Sequence, residues 1–296
     1  LAKIEGVLLQ PHLQKKRAMK KWFYYFRNIS FTYFFRFFWI YIQLKLNVKV
    51  SRTAKITLEL LEYLFKNKEK FHIQNDILII DTKINEQKVK LNLRWMSTDI
   101  LVFKQIILDR ELDPIVKLFT ASGITPKVMI DAGANIGLSS MFIRLNFPSV
   151  KILCIEPNKE NVSMIYKNLG YANYQILQKA LWFQKGYLEE KEGDGAWGIH
   201  MVEIEEESNG AVESTSLTDV MQHFKLETLD YLKIDIEGAE EQIFYQDSQI
   251  SQVLVKVTCI SIEPHSLEFE KFIIQYLRDA GFQVSQSGEL VIGFKS

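Results

Sequence analysis

Cysteine is scarce in this chain of 296 residues: there are two, Cys154 and Cys259. A disulfide framework or a cysteine zinc site needs more, at recurring spacings, so both are excluded. Each cysteine sits in an apolar, β-branched run, KILCIE or VTCISIE. That is how buried, reduced core thiols are placed, and a reducing cytoplasm is the expected compartment. Long apolar runs are missing too. The best membrane candidate, residues 22–42, is interrupted by Arg27, Asn28 and Arg36, and the uncharged stretch after Arg36 is too short to span a bilayer. It has no small-residue cleavage site, so a signal peptide is not expected. Internal repeats and low-complexity tracts are absent. The histidines His12, His72, His200 and His223 show no spacing that would pair them.

What is present begins with a charge division hidden by a formal net charge of zero. Residues 1–72 carry 15 Lys/Arg against 4 Asp/Glu, and the remainder carries 21 against 32. The basic portion reads as a helical extension, and thirteen aromatics crowd residues 22–41. Two readings suit it: a helix lying on an anionic membrane surface, or a helix whose apolar face is covered by protein. Nucleic-acid binding is not expected, because no recognised module accompanies the basic residues.

From residue 73 the pattern changes. ILIIDTKI and KVKLNLRW, joined by a short connector at Asn85-Glu86-Gln87, read as a hairpin. Helical spacing follows over 97–121, with Pro114 in a first turn. From 126 apolar strands alternate with helices: KVMIDAG, then IGLSSMFIRLNF; VKILCIEP, then KENVSMIYKNLG; YQILQKALW as one strand; LDYLKIDIEG, then a helix around 240–245; VLVKVTCISIEP as one strand; a helix over 266–280; and a closing pair, FQVSQ and ELVIGF. This alternation predicts a mostly parallel sheet with helices on both faces. The expected domains are an extension over 1–72 and an α/β domain over 73–296 with its core at 126–296. The acidic, glycine-punctuated segment 181–216 reads as a solvated β-hairpin excursion or as a flap that shapes a substrate site.

Three segments carry chemistry. In VMIDAGANIG an apolar strand ends at Asp131, and Gly133 and Gly137 open a helix. The spacing D-x-G-x-x-x-G lacks the G-x-G pair that grips a dinucleotide pyrophosphate. An acid at the strand end instead favours a cationic ligand, and S-adenosylmethionine (SAM), with its ammonium and sulfonium, suits it. Glu156 ends the next strand, where a carboxylate can accept hydrogen bonds from both ribose hydroxyls of an adenosyl ligand. In LKIDIEGAE, Asp235 and Glu237 sit at the carboxyl edge of a strand, with Glu263 and His265 of SIEPH on the same edge. A buried ion pair between Lys233 and an aspartate is the structural alternative for this motif.

Together VMIDAGANIG (128–137), IEPNKENVSMIYKNL (155–169) and DYLKIDIEGAE (230–240) resemble the FkbM family of class I SAM-dependent methyltransferases. STSLTD at 214–219 resembles its T-L-D segment, with Ser216 where threonine is usual. The resemblance implies a Rossmann-like fold with a seven-stranded sheet, SAM as cofactor, and O-methylation of a sugar, glycan or natural product. It also implies that Asp131, Gly133, Asn135 and Gly137 line the methionine end of SAM, Glu156 holds the ribose, and Asn158 and Leu181 flank the adenine.

Methyl transfer to an alcohol needs a positioned nucleophile and a base for its proton. His265, Asp235 and Glu237 are the expected catalytic residues. Asp235, Glu237 and Glu263 offer hard oxygen ligands, but nothing in the sequence makes them converge, so no metal is expected. N-methylation, or a SAM-binding or membrane-docking module without turnover, are the alternatives. The expected acceptor is a small molecule or glycan, with peripheral contact through 22–42 at the inner face of the membrane. The oligomeric state is left open.

Overall fold

The computed structural model describes Tyr24 and residues 29–46, 48–170, 173–192, 199–204, 208 and 210–295. The basic run at 15–21, most of 22–28, and parts of the acidic excursion lie outside the described residues. The chain divides into two compact units, Leu1–Gln105 and Ile106–Ser296. Residues 73–105 fall within the first of these units.

The first unit holds helices α1 (Phe31–Lys45) and α2 (Arg52–Asn67), strands β1 (Lys70–Gln74), β2 (Ile77–Ile84) and β3 (Gln87–Arg94), and the short helix α3 (Asp99–Phe103). The Ser51 hydroxyl accepts the Ala54 amide hydrogen at 3.2 Å and starts α2. Ala54, Leu58, Leu61 and Leu64, at helical spacing, are buried. The expected hairpin is β2–β3, paired antiparallel, with Asn85 and Glu86 both left-handed. That geometry matches the twist of adjoining strands. Strand β1 was not expected; it adds antiparallel to β2. On α1, Phe31, Phe35 and Trp39 are 66%, 51% and 62% exposed. No helix among the described residues is long and apolar enough to cross a membrane.

The second unit continues through a π-helical segment ending at Leu108 and helix α4 (Asp113–Ser122), which has proline in its first turn. Strands β4 (Val128–Ala132), β5 (Lys151–Ile155), β6 (Tyr174–Leu177), β11 (Leu229–Ile234), β12 (Val257–Ile262), β13 (Gln283–Ser287) and β14 (Leu290–Phe294) form a seven-stranded sheet in the order β13-β14-β12-β11-β4-β5-β6. The five from β12 to β6 are parallel, and β14 is antiparallel to both its neighbours. The helices are α5 (Leu138–Asn146), α6 (Lys159–Leu169), α7 (Leu217–His223), α8 (Glu240–Gln246), α9 (Ile250–Val255) and α10 (Leu267–Asp279). The order reverses between β4 and β11, the switch point outside which open α/β sheets bind ligands.

Two strand boundaries differ from the sequence reading. YQILQKALW is not one strand. It splits into β6 and the two-residue β7 (Ala180–Leu181), and β7 joins a separate four-stranded sheet with β8 (Gly186–Glu192), β9 (Ile199–Ile204) and β10 (Val212–Thr215). The Lys179 amide turns back to the Leu177 carbonyl and ends β6. VLVKVTCISIEP opens as α9, because Val253 and Leu254 pack into the core from a helix before β12 begins. Apolar, β-branched composition alone does not separate a buried helix turn from a buried strand.

Leu232 is fully buried at the centre of the sheet. Leu232→Ala should cost about 2–5 kcal/mol, through lost burial and the cavity left behind. Urea unfolding followed by fluorescence measures it. A loss below about 1 kcal/mol would contradict a central, close-packed place for this side chain.

Candidate active site

The switch point is held by a buried charge. Lys233 on β11 is the register partner of Asp131 on β4, so both side chains leave the sheet on one face. The Lys233 ammonium lies 2.9 Å from Asp235 Oδ2 and 3.7 Å from Asp131 Oδ1. Burial alone would pull its pKa down, but the carboxylates of Asp235 and Asp131 more than reverse this and hold it above the ordinary lysine value. Asp131 is fully enclosed and accepts a 2.6 Å hydrogen bond from the Ser140 hydroxyl. Burial raises its pKa, against the opposing pull of Lys233. The buried Lys–Asp pairing that the sequence allowed is therefore present, and it shares Asp235 with the cavity.

Above this pair lies a cavity of about 810 Å³. It lies at the carboxyl ends of β4, β5 and β11. Gly133, Asn135, Glu156, Asn158 and Leu181 line it, and so do Asp235 and Glu237. Asp131 and Gly137 do not. Asp131 lies beneath, on Lys233, and Gly137 opens α5 with its α-carbon turned toward Ile165, against which an added Cβ would come within 3.4 Å. Gly133 is required by close approach. At φ +74°, an added Cβ would sit 1.6 Å from the Asp235 carbonyl oxygen, so the turn after β4 rests directly on backbone after β11.

Glu156 is held on both oxygens. Oε2 accepts the Asn135 amide hydrogen at 2.8 Å. Oε1 accepts the Asn158 amide at 3.0 Å and the Asn161 side-chain amide at 3.1 Å. Burial raises its pKa, and these hydrogen bonds work against the rise. The Asn158 side chain is occupied as the N-cap of α6, accepting from the amides of Glu160 and Asn161. Leu181, Trp182, Leu188 and Val212 give the cavity an apolar wall. Strands β7, β8 and β10 of the excursion supply it, so that segment builds the site as well as bordering it. The Trp182 indole is fixed by a 2.9 Å bond to Glu203.

Glu237 (φ +58°) and Gly238 form a left-handed turn after β11. The Glu237 carboxylate lies 3.8 Å from His265 Nε2. His265 Nδ1 faces Glu240 Oε2 at 3.3 Å, and Glu240 is fully buried with its other oxygen accepting the Ile236 amide at 2.6 Å. The Glu240 carboxylate beside the ring raises the His265 pKa to about 9, against the opposing pull of burial. Burial beside Asp235 pushes Glu263 up as well. Asp235, Glu263 and His265 each place a ligand atom within 4.8 Å of the others. Convergence at this edge thus includes His265 in place of Glu237, which the sequence did not show. Glu240 and Trp182 were missed as site residues. Glu240 lies within the GAE motif, but only the fold shows that its side chain turns inward.

The residues fit an adenosyl donor. An acid with both oxygens fixed stands at a strand end, and the same cavity has an apolar wall and further carboxylates at Asp235 and Glu237. The strand order, the turn after β4 and Glu156 define a Rossmann-like class I SAM-dependent methyltransferase. The model of the FkbM methyltransferase domain matches residues 131–284, and the chain belongs to that family. It is 27% identical over 194 residues to the methyltransferase sdnD of Sordaria araneosa, covering 53% of this chain and 74% of that protein. Among solved structures it is similar to the METTL16 MTase domain (TM-score 0.44, 11% identity, 84% and 82% of the two chains). It is also similar to precorrin-6y C5,15-methyltransferase from Geobacter metallireducens GS-15 (TM-score 0.36, 16% identity, 58% and 81%). At such TM-scores neither likeness adds to what the strand pairing defines.

Glu156→Gln removes the charge that would receive ribose hydroxyls. Binding of S-adenosylhomocysteine, read by calorimetry, should weaken by about tenfold or more. Unchanged affinity would remove Glu156 from the donor site.

Proposed function

We propose that the chain transfers a methyl group from SAM to a hydroxyl of a sugar, glycan or natural product. The observation that carries this reading is one cavity lined by Glu156 together with Asp235 and Glu237. SAM, when bound, supplies an electrophilic methyl on sulfur. The chain's own residues do the rest. Glu156 anchors the adenosyl ribose, Asn158 and Leu181 border the adenine, and Gly133 and Asn135 shape the floor under the methionine portion. Asp131 acts from beneath by fixing Lys233. The acceptor then lies against Asp235 and Glu237. Most of the rate enhancement comes from holding its oxygen in line with the methyl, which can contribute several kcal/mol. Glu237, open toward the cavity, takes the hydroxyl proton. His265, braced by Glu240, orients Glu237. A carboxylate pair suits a hydroxyl, since an amine acceptor needs less help in losing its proton.

Incubation with methyl-labelled SAM and a panel of hydroxylated glycans, natural products and amines tests this. Label should enter hydroxyl acceptors. Glu237→Gln should lower the rate about 10²-fold or more while leaving S-adenosylhomocysteine affinity unchanged. Label confined to amines, or full activity in Glu237→Gln, would reject the O-methyl reading.

The exposed aromatics of α1 favour a second, spatial proposal: α1 rests on an anionic membrane surface. Phe31, Phe35 and Trp39 form an exposed stripe at helical spacing, beside Arg36 and Lys45, in a segment with a large cationic excess. The chain should float with vesicles containing phosphatidylglycerol and not with phosphatidylcholine alone. Phe35→Ser with Trp39→Ser should abolish flotation. Flotation unaffected by the pair, or a dimer dissolved by the same pair, would reject the membrane surface.

A further inference from the structure

We propose that Asp235, Glu263 and His265 form a binding site for one divalent cation of the Mn²⁺ type, beside the cavity wall that Asp235 lines. The role of the ion depends on the methyl-transfer reading, but its binding does not.

The site stands on the ends of two adjacent parallel strands. The Asp235 amide donates to the Ala132 carbonyl at 3.1 Å, and the Glu263 amide donates to the Ile234 carbonyl at 3.1 Å. Both backbones are thus tied into the sheet continuation. His265 follows two residues later, before α10. One ligand atom from each side chain lies within 4.8 Å of the others. Around an ion with bonds of about 2.1 Å, ligand atoms stand about 3 Å apart in cis and about 4.2 Å in trans. A small inward movement of one side chain closes the set.

A second observation lies behind the trio. Glu240 is fully buried. One of its oxygens accepts the Ile236 amide, and the other, Oε2, makes no hydrogen bond of regular geometry and points at His265 Nδ1 from 3.3 Å. A carboxylate on the second ring nitrogen is how metal-bound imidazoles are oriented and made more basic. It leaves Nε2, which faces Glu237 at 3.8 Å, to turn from that carboxylate to the ion. The charge count points the same way. Among the described residues Asp131 and Asp235 meet the Lys233 ammonium, Glu237 and Glu240 meet the His265 ring, and Glu263 stands beside Asp235, so five carboxyl groups share two cationic partners. Lys233 takes Oδ2 of Asp235 at 2.9 Å, and the ion would take the other oxygen. Two carboxylates and an imidazole suit Mn²⁺ and its neighbours better than Ca²⁺, which prefers an all-oxygen shell.

With three protein ligands the ion keeps open positions for an acceptor hydroxyl, whose pKa it lowers. The hydroxyl proton passes to Glu237. The oxygen then bonds the methyl carbon as the carbon–sulfur bond breaks, and sulfur keeps the electron pair. This divides the labour of the carboxylates: Asp235 ligates and Glu237 receives the proton.

Electron paramagnetic resonance of Mn²⁺ added to the full, metal-stripped chain tests the site, with no donor or acceptor present. One bound ion per chain is expected. Glu263→Gln and His265→Ala should each weaken binding at least tenfold, while Glu289→Gln, on the exposed β13–β14 turn, leaves it unchanged. Wild-type chain carries an independent readout that needs no variant: Mn²⁺ should broaden the His265 ring signals in the proton spectrum. Absence of bound ion at millimolar Mn²⁺, or His265 signals untouched by it, would overturn the site. Displacement of the ion by S-adenosylhomocysteine would overturn it too, since the negative charge would then serve the donor's ammonium. Calorimetry with S-adenosylhomocysteine alone reads the donor site separately, so a failed metal site and a failed methyltransferase reading give different results.

Discussion

The Lys233 ammonium, buried between Asp131 and Asp235, is the interaction on which the rest of the site depends. An unpaired ammonium inside the sheet would be prohibitive, and so would an unpaired Asp131. Each is tolerable because register brings them side by side on β11 and β4. The pairing also fixes where β11 ends, because Asp235 is held inward by the same lysine. Once Asp235 is fixed, the turn carrying Glu237 and the approach of Gly133 to the Asp235 carbonyl follow. Removing the lysine would strand two carboxylates, so this position admits no gradual exchange.

The cavity then divides into a half built by the sheet and a half built by additions to it. Glu156, Gly133 and Asp235 belong to strand ends and are fixed by backbone hydrogen bonds. The apolar wall belongs to the four-stranded sheet made from the excursion.

Much of this was legible in the sequence because burial leaves a periodic trace. The parallel strands read as apolar runs, and the left-handed Asn85-Glu86 turn read as a hairpin connector. Glu156 was legible because its place, at a strand end after a glycine turn, is a matter of spacing. Other features were not. Val253 and Leu254 are as apolar in a helix as in a strand, so α9 was hidden. Lys179 gives no sign that the chain changes sheets after β6. Glu240 was visible as a letter in a motif, but its inward turn depends on the Ile236 amide that donates to it. Convergence of Asp235, Glu263 and His265 arises from the pairing of β11 with β12, a contact between segments some thirty residues apart.

The missing Cβ of Gly133 makes the turn after β4 and the backbone after β11 one piece of cavity floor. Neither can move without the other, since no side chain lies between them to deform. Diversification of such an enzyme is then confined to its roof. The excursion after β7 can be lengthened, trimmed or recharged while the base of the cavity is left intact.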